Sequence, residues 1–224
     1  RWLLATLAAV TLLIVANHLL VLALAWVGTS LALHQLLTFF EDRTQALVAA
    51  HKKFLASRVA DLCLFTAVGL VAQHVPSLRL DAVQAFSERN AFLPGSLHIA
   101  GVLFAVAAAL KCAQLPFHGW LTQVMEAPTP VSALLHAGVV NIGGFLMIRL
   151  APLMVKAPGA QTLLVLIGAT TAVVAALVMT MRVTVKVALA WSTIAQMGFM
   201  LVQCGLGAYQ LALLHIVAHS LYKA

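Results

Sequence analysis

The sequence has little charge and almost no acid: Asp and Glu number 6 in 224 residues, and charged side chains of both signs make up 8%. Soluble domains carry roughly three times that share. Apolar residues make up 63% and the mean hydropathy is +1.04, which excludes a water-soluble fold of this size. Cysteine is also scarce. Cys63, Cys112 and Cys204 lie far apart with no CxxC spacing, so neither a disulfide framework nor a thiolate metal site is indicated, and the three read as small buried apolar residues. There is no nucleophile elbow, P-loop, Rossmann glycine fingerprint or zinc signature, so no covalent chemistry and no enzyme activity are expected of this chain, nor any metal or cofactor within it. A formal charge of +7 could point to nucleic acid, but the Lys and Arg residues are scattered between apolar runs and form no basic stripe.

What is present is one apolar run after another, each near the roughly 20 residues a helix needs to cross the hydrocarbon layer. The expected class is all-α, a polytopic membrane bundle forming a single transmembrane domain over 1–224 with about eight spans. These fall at 2–16, 17–37, 54–75, 97–115, 129–154, 161–181, 185–203 and 209–224. The first two form a hairpin punctuated by Asn17 and His18. Residues 41–53 are polar and net basic, which by the positive-inside rule places them in the cytoplasm, with the polar loop 76–95 on the opposite face. Pro116 ends or kinks the fourth span, and Ala127-Pro128-Thr129-Pro130 forces a second interruption. Gly138, Gly143 and Gly144 allow close helix contact. The chain opens and stops against apolar runs and shows no signal peptide, which is expected of a piece of a longer protein with helices missing on both sides.

Charge inside a span is expensive and marks an ion path by default. Lys111 closes an apolar run just before Pro116. A lysine sunk there can accept and release protons; the alternative is that it snorkels to the interface. His136 lies six residues past Pro130, about 9 Å into its span, and suits a relay or a simple interhelical hydrogen bond. His215, His219 and Lys223 recur at i, i+4 and i+8 and share one helix face, as a proton wire would. Read instead as a metal ligand pair, the two histidines lack a helical acidic partner. Lys186 either extends that file or anchors its helix. Arg58 and Asp61 stand one turn apart as an ion pair, either an anchor or an electrostatic gate, and Glu126 is either a counter-ion for Lys111 or a solvated loop residue.

The run Lys111-Cys-Ala-Gln-Leu-Pro-Phe-His118-Gly-Trp120-Leu, then Met125-Glu-Ala-Pro-Thr-Pro-Val-Ser-Ala-Leu-Leu-His136-Ala, strongly resembles the antiporter-like subunits of respiratory complex I and Mrp-type cation/proton antiporters. Leu189-Ala-Trp-Ser-Thr-Ile-Ala-Gln-Met-Gly198, Arg58-Val-Ala-Asp61 and the segment from His215 to Lys223 fit the same pattern, so the resemblance spans nearly the whole chain. It implies a proton-translocating fold with broken helices and a polar axis at mid-membrane, in which Lys111 is the central lysine. His136, Lys186, His215, His219 and Lys223 would belong to that axis and its connections. The family usually has a glutamate directly after the tryptophan that is Trp26 here, and this chain has Val27, so Asp61 or Glu126 would have to supply the counter-charge.

Met-Glu-Ala-Pro-Thr-Pro, His-Ala-Gly-Val-Val-Asn and Trp26-Val27 look most like the membrane subunits of DAB inorganic carbon transporters. That resemblance implies H+ or Na+ flux feeding a soluble, zinc-containing, carbonic-anhydrase-like partner (DabA-type) that hydrates CO2 to bicarbonate, in a multi-pass subunit of the bacterial plasma membrane. Two other readings stay open. One is an antiporter-like subunit of a NADH:quinone oxidoreductase, membrane hydrogenase or Mrp antiporter, with the other subunits of a respiratory or antiporter complex as partners (quinone and flavin subunits for a redox pump); the other is a scaffold whose polar residues only hold helices together.

Overall fold

The computed structural model describes residues 1–39, 44–123 and 129–223, and every regular element among them is helical. In chain order these are α1 (Trp2–Val15), α2 (Leu19–Leu37), α3 (Thr44–Ala72), α4 (Leu80–Arg89), α5 (Gly95–Lys111), α6 (Gly119–Gln123), α7 (Thr129–Ala137), α8 (Ile142–Arg149), α9 (Ala151–Met154), α10 (Pro158–Thr180), α11 (Val185–Gly205) and α12 (Tyr209–Lys223). Five helical stretches are long and apolar enough to cross a membrane: Leu19–Leu37, Ala46–Ala72, Pro130–Arg149, Pro158–Thr180 and Val185–Gly205. Leu4, Leu62, Leu177 and Leu214 project outward from α1, α3, α10 and α12, as lipid-facing side chains do. The chain is a multi-pass membrane protein.

Three expectations from sequence need correction. Residues 44–53 are not loop. They open α3, a helix of 29 residues and therefore about 43 Å long, because the amine of Lys53 finds acceptors on α2 and can enter the bundle. Residues 80–89 are also helical: Leu80, Val83 and Ser87 bury one face of the short amphipathic α4, and Lys156 donates to the carbonyls of Ser87 and Asn90. At its start the Arg79 guanidinium grips Asp81 at 2.6 Å and holds that exposed carboxyl down at about 2, so the pair stays charged throughout the physiological range. The stretch 129–154 is not one helix, for Gly138 breaks it and a 3₁₀ turn, Val139–Asn141, separates α7 from α8.

The α1–α2 corner is tied to the α3–α4 corner by backbone bonds from Leu19 to Leu78 (2.8 Å) and from Leu80 to Asn17 (3.1 Å). These two corners therefore share one face of the bundle, and the C-terminal end of α2 and the N-terminal end of α3 lie at the other.

Glycine sets the tightest packing. A Cβ on Gly198 would stand 2.7 Å from the carbonyl oxygen of Gly168 and 2.8 Å from the amide nitrogen of Ala172, so α10 and α11 meet backbone to backbone. Neither atom can swing away. Gly198→Ala is expected to cost about 1–3 kcal/mol of overpacking and lower the melting temperature in detergent, whereas Gly69→Ala, inside α3 with nothing within 4 Å, does not lower it. Equal melting temperatures for the two variants would show that the helices part freely.

α5 ends at Lys111, five residues before Pro116, and the interruption keeps its backbone groups bonded. Ala113 takes a positive φ of 51°, the Gln114 side chain donates to the Cys112 carbonyl at 2.9 Å, and the Leu115 amide donates to Thr171 Oγ1 at 3.2 Å. Within a bilayer a helix break survives only with such satisfaction. Cys112 lies against the turn between α7 and α8, its thiol donating to the Val140 carbonyl at 3.1 Å.

Candidate functional site: two buried polar clusters

Lys111 is buried at the broken end of α5, 4% exposed. Its ammonium donates to the Trp26 carbonyl on α2 at 3.3 Å and sits 4.6 Å from the centre of the Trp26 ring. Facing it from α3 is the Arg58–Asp61 pair at 2.7 Å, with Asp61 buried and within electrostatic reach of Lys111. The guanidinium of Arg58 also lies 4.9 Å from the Phe54 ring.

Sequence reading missed a second amine here. Lys53, 3% exposed, donates to the backbone carbonyl of Ser30 at 2.9 Å and to its hydroxyl at 3.1 Å. A signal was available: Lys53, Ser57 and Asp61 recur at i, i+4 and i+8 and all three are buried, a polar stripe on one face of α3. Opposite it on α2, Trp26, Ser30 and His34 repeat with the same period. Three cationic side chains, Lys53, Arg58 and Lys111, thus surround one carboxylate. Arginine keeps its proton in proteins, so the two lysines are the cations of this cluster that can discharge.

The second cluster is built by α7, α11 and α12. His136, buried in the last turn of α7, meets Thr193 Oγ1 through its Nδ1 at 3.1 Å. Thr193 gives its own hydroxyl proton to the Leu189 carbonyl at 3.0 Å, so His136 Nδ1 must be the donor and Nε2 holds a free lone pair in the neutral ring. Lys223 reaches the same Leu189 carbonyl at 3.5 Å and donates to Ser192 at 3.2 Å. His219 is 1% exposed, its ring 6.2 Å from that of His215, whose Nδ1 meets Gln203 Oε1 at 3.1 Å. Lys223 is within electrostatic reach of both His136 and His219. A cavity of about 300 Å³ borders His215 and His219 and opens beside Phe199 and Tyr222. Asn141, in the turn between α7 and α8, holds α12 in place by donating to Ser220 at 3.1 Å.

The structure therefore brings Lys111, Arg58 and Asp61 together, and separately His136, His215, His219 and Lys223. Among the described residues no hydrogen bond joins Lys111 to His136 directly. Lys186 stands exposed at the start of α11, outside both clusters, and Glu126 lies outside the described residues.

A helical bundle broken at a buried lysine, with a histidine and lysine file on the neighbouring helices, is the architecture of antiporter-like membrane subunits. The chain belongs to the NADH:quinone oxidoreductase/Mrp antiporter transmembrane family, whose model matches residues 16–224. It is 52% identical over 224 residues to the probable inorganic carbon transporter subunit DabB of Hydrogenovibrio crunogenus, covering 100% of this chain and 43% of that protein. It is 47% identical over 213 residues to the probable inorganic carbon transporter subunit DabB2 of Halothiobacillus neapolitanus, covering 95% of this chain and 39% of the other. The chain thus spans less than half the length of these relatives. Among solved structures, the Mrp complex from Dietzia sp. DQ12-45-1b superposes with a TM-score of 0.90 at 33% identity, over 98% of this chain and 24% of that one.

Proposed function

We propose that this chain conducts protons within a membrane subunit that energises uptake of inorganic carbon, as CO2 or bicarbonate, across the bacterial plasma membrane. A soluble, zinc-containing, carbonic-anhydrase-like subunit carries out the hydration chemistry, and Lys111, His136, His215, His219 and Lys223 form the path, with Lys186 at its edge. The observation that carries this reading is the pair of buried clusters, in which lysine and histidine outnumber the single carboxylate, Asp61, among the described residues. Amines and imidazolium ions repel Na+, which is held in membranes by carbonyl and carboxylate oxygens, so the side chains present favour H+ over Na+ as the coupling ion. The similarity to two probable inorganic carbon transporter subunits favours carbon uptake over redox pumping. Val27, where the wider family usually has glutamate, favours a charge arrangement other than the lysine–glutamate pair of the redox pumps.

The test is bicarbonate uptake by cells carrying the full-length subunit, with a protonophore added, alongside affinity purification of the assembled complex. Uptake should collapse with the protonophore and persist with a sodium ionophore, and a zinc hydratase-like protein should co-purify. Protonophore-insensitive uptake, or co-purification of quinone and flavin subunits, would overturn the assignment.

A further inference from the structure

A path through Lys111 needs a way in from one membrane face, and the α2–α3 contact supplies a candidate that the resemblance to the family did not mark. His51 is exposed near the start of α3, and its ring meets that of His34 edge to face at 5.8 Å. His34, half-buried on α2, packs 4.9 Å from Phe54 and has a buried Nδ1 without a hydrogen-bond partner among the described residues. One turn deeper on the same face of α2 stands Ser30, holding the Lys53 amine. One turn deeper again is the Trp26 carbonyl, which holds the Lys111 amine. The acceptors of the two ammonium groups are four residues apart on α2, about 6 Å along the helix axis. Titratable groups thus succeed one another from an exposed helix end to the buried break in α5.

We propose that His34, Lys53 and Ser30 form the access file through which protons from the face at the α2 C-terminus reach Lys111. This rests on the proton-conducting reading above and adds its entrance. The charged and titratable groups around Lys53 come from every element facing it: His34 on α2, His51, Arg58 and Asp61 on α3, and Lys111 on α5. A lysine serving only to tie α2 to α3 would need its charge and its hydrogen bonds and never its ability to let the proton go. An access lysine needs the last of these. Beside Lys111 stands a second exchangeable amine, and the exchange runs from lysine to lysine along the carbonyls of α2.

The experiment measures proton flux in inverted membrane vesicles containing the whole transporter, with the subunit quantified in the membrane and in the assembled complex. Lys53→Met and Lys53→Arg should each lower flux at least about tenfold, the arginine because it holds its proton at every accessible pH. Lys53→His should recover a substantial part of that flux, with the pH profile moved to lower pH, since imidazole exchanges its proton in a more acidic range than an amine. Wild-type flux in Lys53→Arg would overturn the proposal, because a fixed charge would then suffice; so would wild-type flux in Lys53→Met, or a histidine variant with an unmoved profile. Should Lys53→Met fail to assemble, the arginine and histidine variants decide, as both keep a donor toward Ser30. Lys111→Ala serves as reference: if it conducts normally, the whole relay fails, whereas if it is inactive while the Lys53 variants are active, only the entrance fails.

Discussion

Proton flux and transport-dependent growth are expected to fall at least about 100-fold when Lys111 is replaced by alanine, with the subunit still inserted and assembled. That fold-change corresponds to about 2.7 kcal/mol, within what loss of one essential proton carrier can impose. The fold should tolerate the change because, among the described residues, Lys111 contributes one hydrogen bond, at 3.3 Å, and one ring contact to the packing. Its removal also leaves no buried acid alone, since Asp61 retains Arg58 at 2.7 Å. Lys111→Met keeps most of the volume and removes only the amine, and it should be as inactive as the alanine variant. Lys111→Arg keeps the charge but cannot discharge, and it should be inactive as well. Normal growth of the methionine variant would reduce Lys111 to a helix-packing residue and favour the scaffold reading.

How much of this was legible in the sequence depends on whether a feature is local. Most helix ends fall within a few residues of the apolar runs, because the bilayer demands the same run of each helix. But α3 opens at Thr44, well before its run at 54, and among the described residues five of the eight expected spans are long and apolar enough to cross. Lys111 was legible because a charge inside such a run, next to proline, has few innocent explanations, and the file His215, His219, Lys223 because its period is that of the helix. Lys53 was not. It lies beside His51 and Lys52 after several polar residues, and local charge density there reads as loop, whereas the Ser30 acceptors that let it enter the bundle are 23 residues away in sequence. α4 was hidden for the opposite reason, its apolar face being only three turns long and divided by polar residues. The break at Gly138 was read only as a place for close packing. The partners that orient the histidines, Thr193 and Gln203, are set by helix–helix contact and carry no local signal.

Asp61→Asn is the second change expected to have a large effect, and it decides between the two meanings of the Arg58–Asp61 pair. With the carboxylate gone, Arg58 stays charged with its Nε and one terminal nitrogen buried, and the first cluster holds three cations and no acid. Arg58 is 33% exposed, so removing its partner costs less than the roughly 3–5 kcal/mol of a fully buried pair, and the amount of folded subunit should fall modestly. Flux per folded subunit should fall as well, by at least about tenfold, because Lys111 loses the negative charge that makes its protonated state affordable in the bundle. The double variant Arg58→Gln with Asp61→Asn separates the effects. Two neutral amides restore charge balance and can bond to each other across one helical turn, so the subunit should return to near its normal amount. Flux that stays low in this variant identifies Asp61 as the counter-charge that works Lys111, the role left open by Val27. Flux that returns with the folded protein makes the pair an anchor, and the proton path must then manage its charges with Lys53 and Lys111 alone.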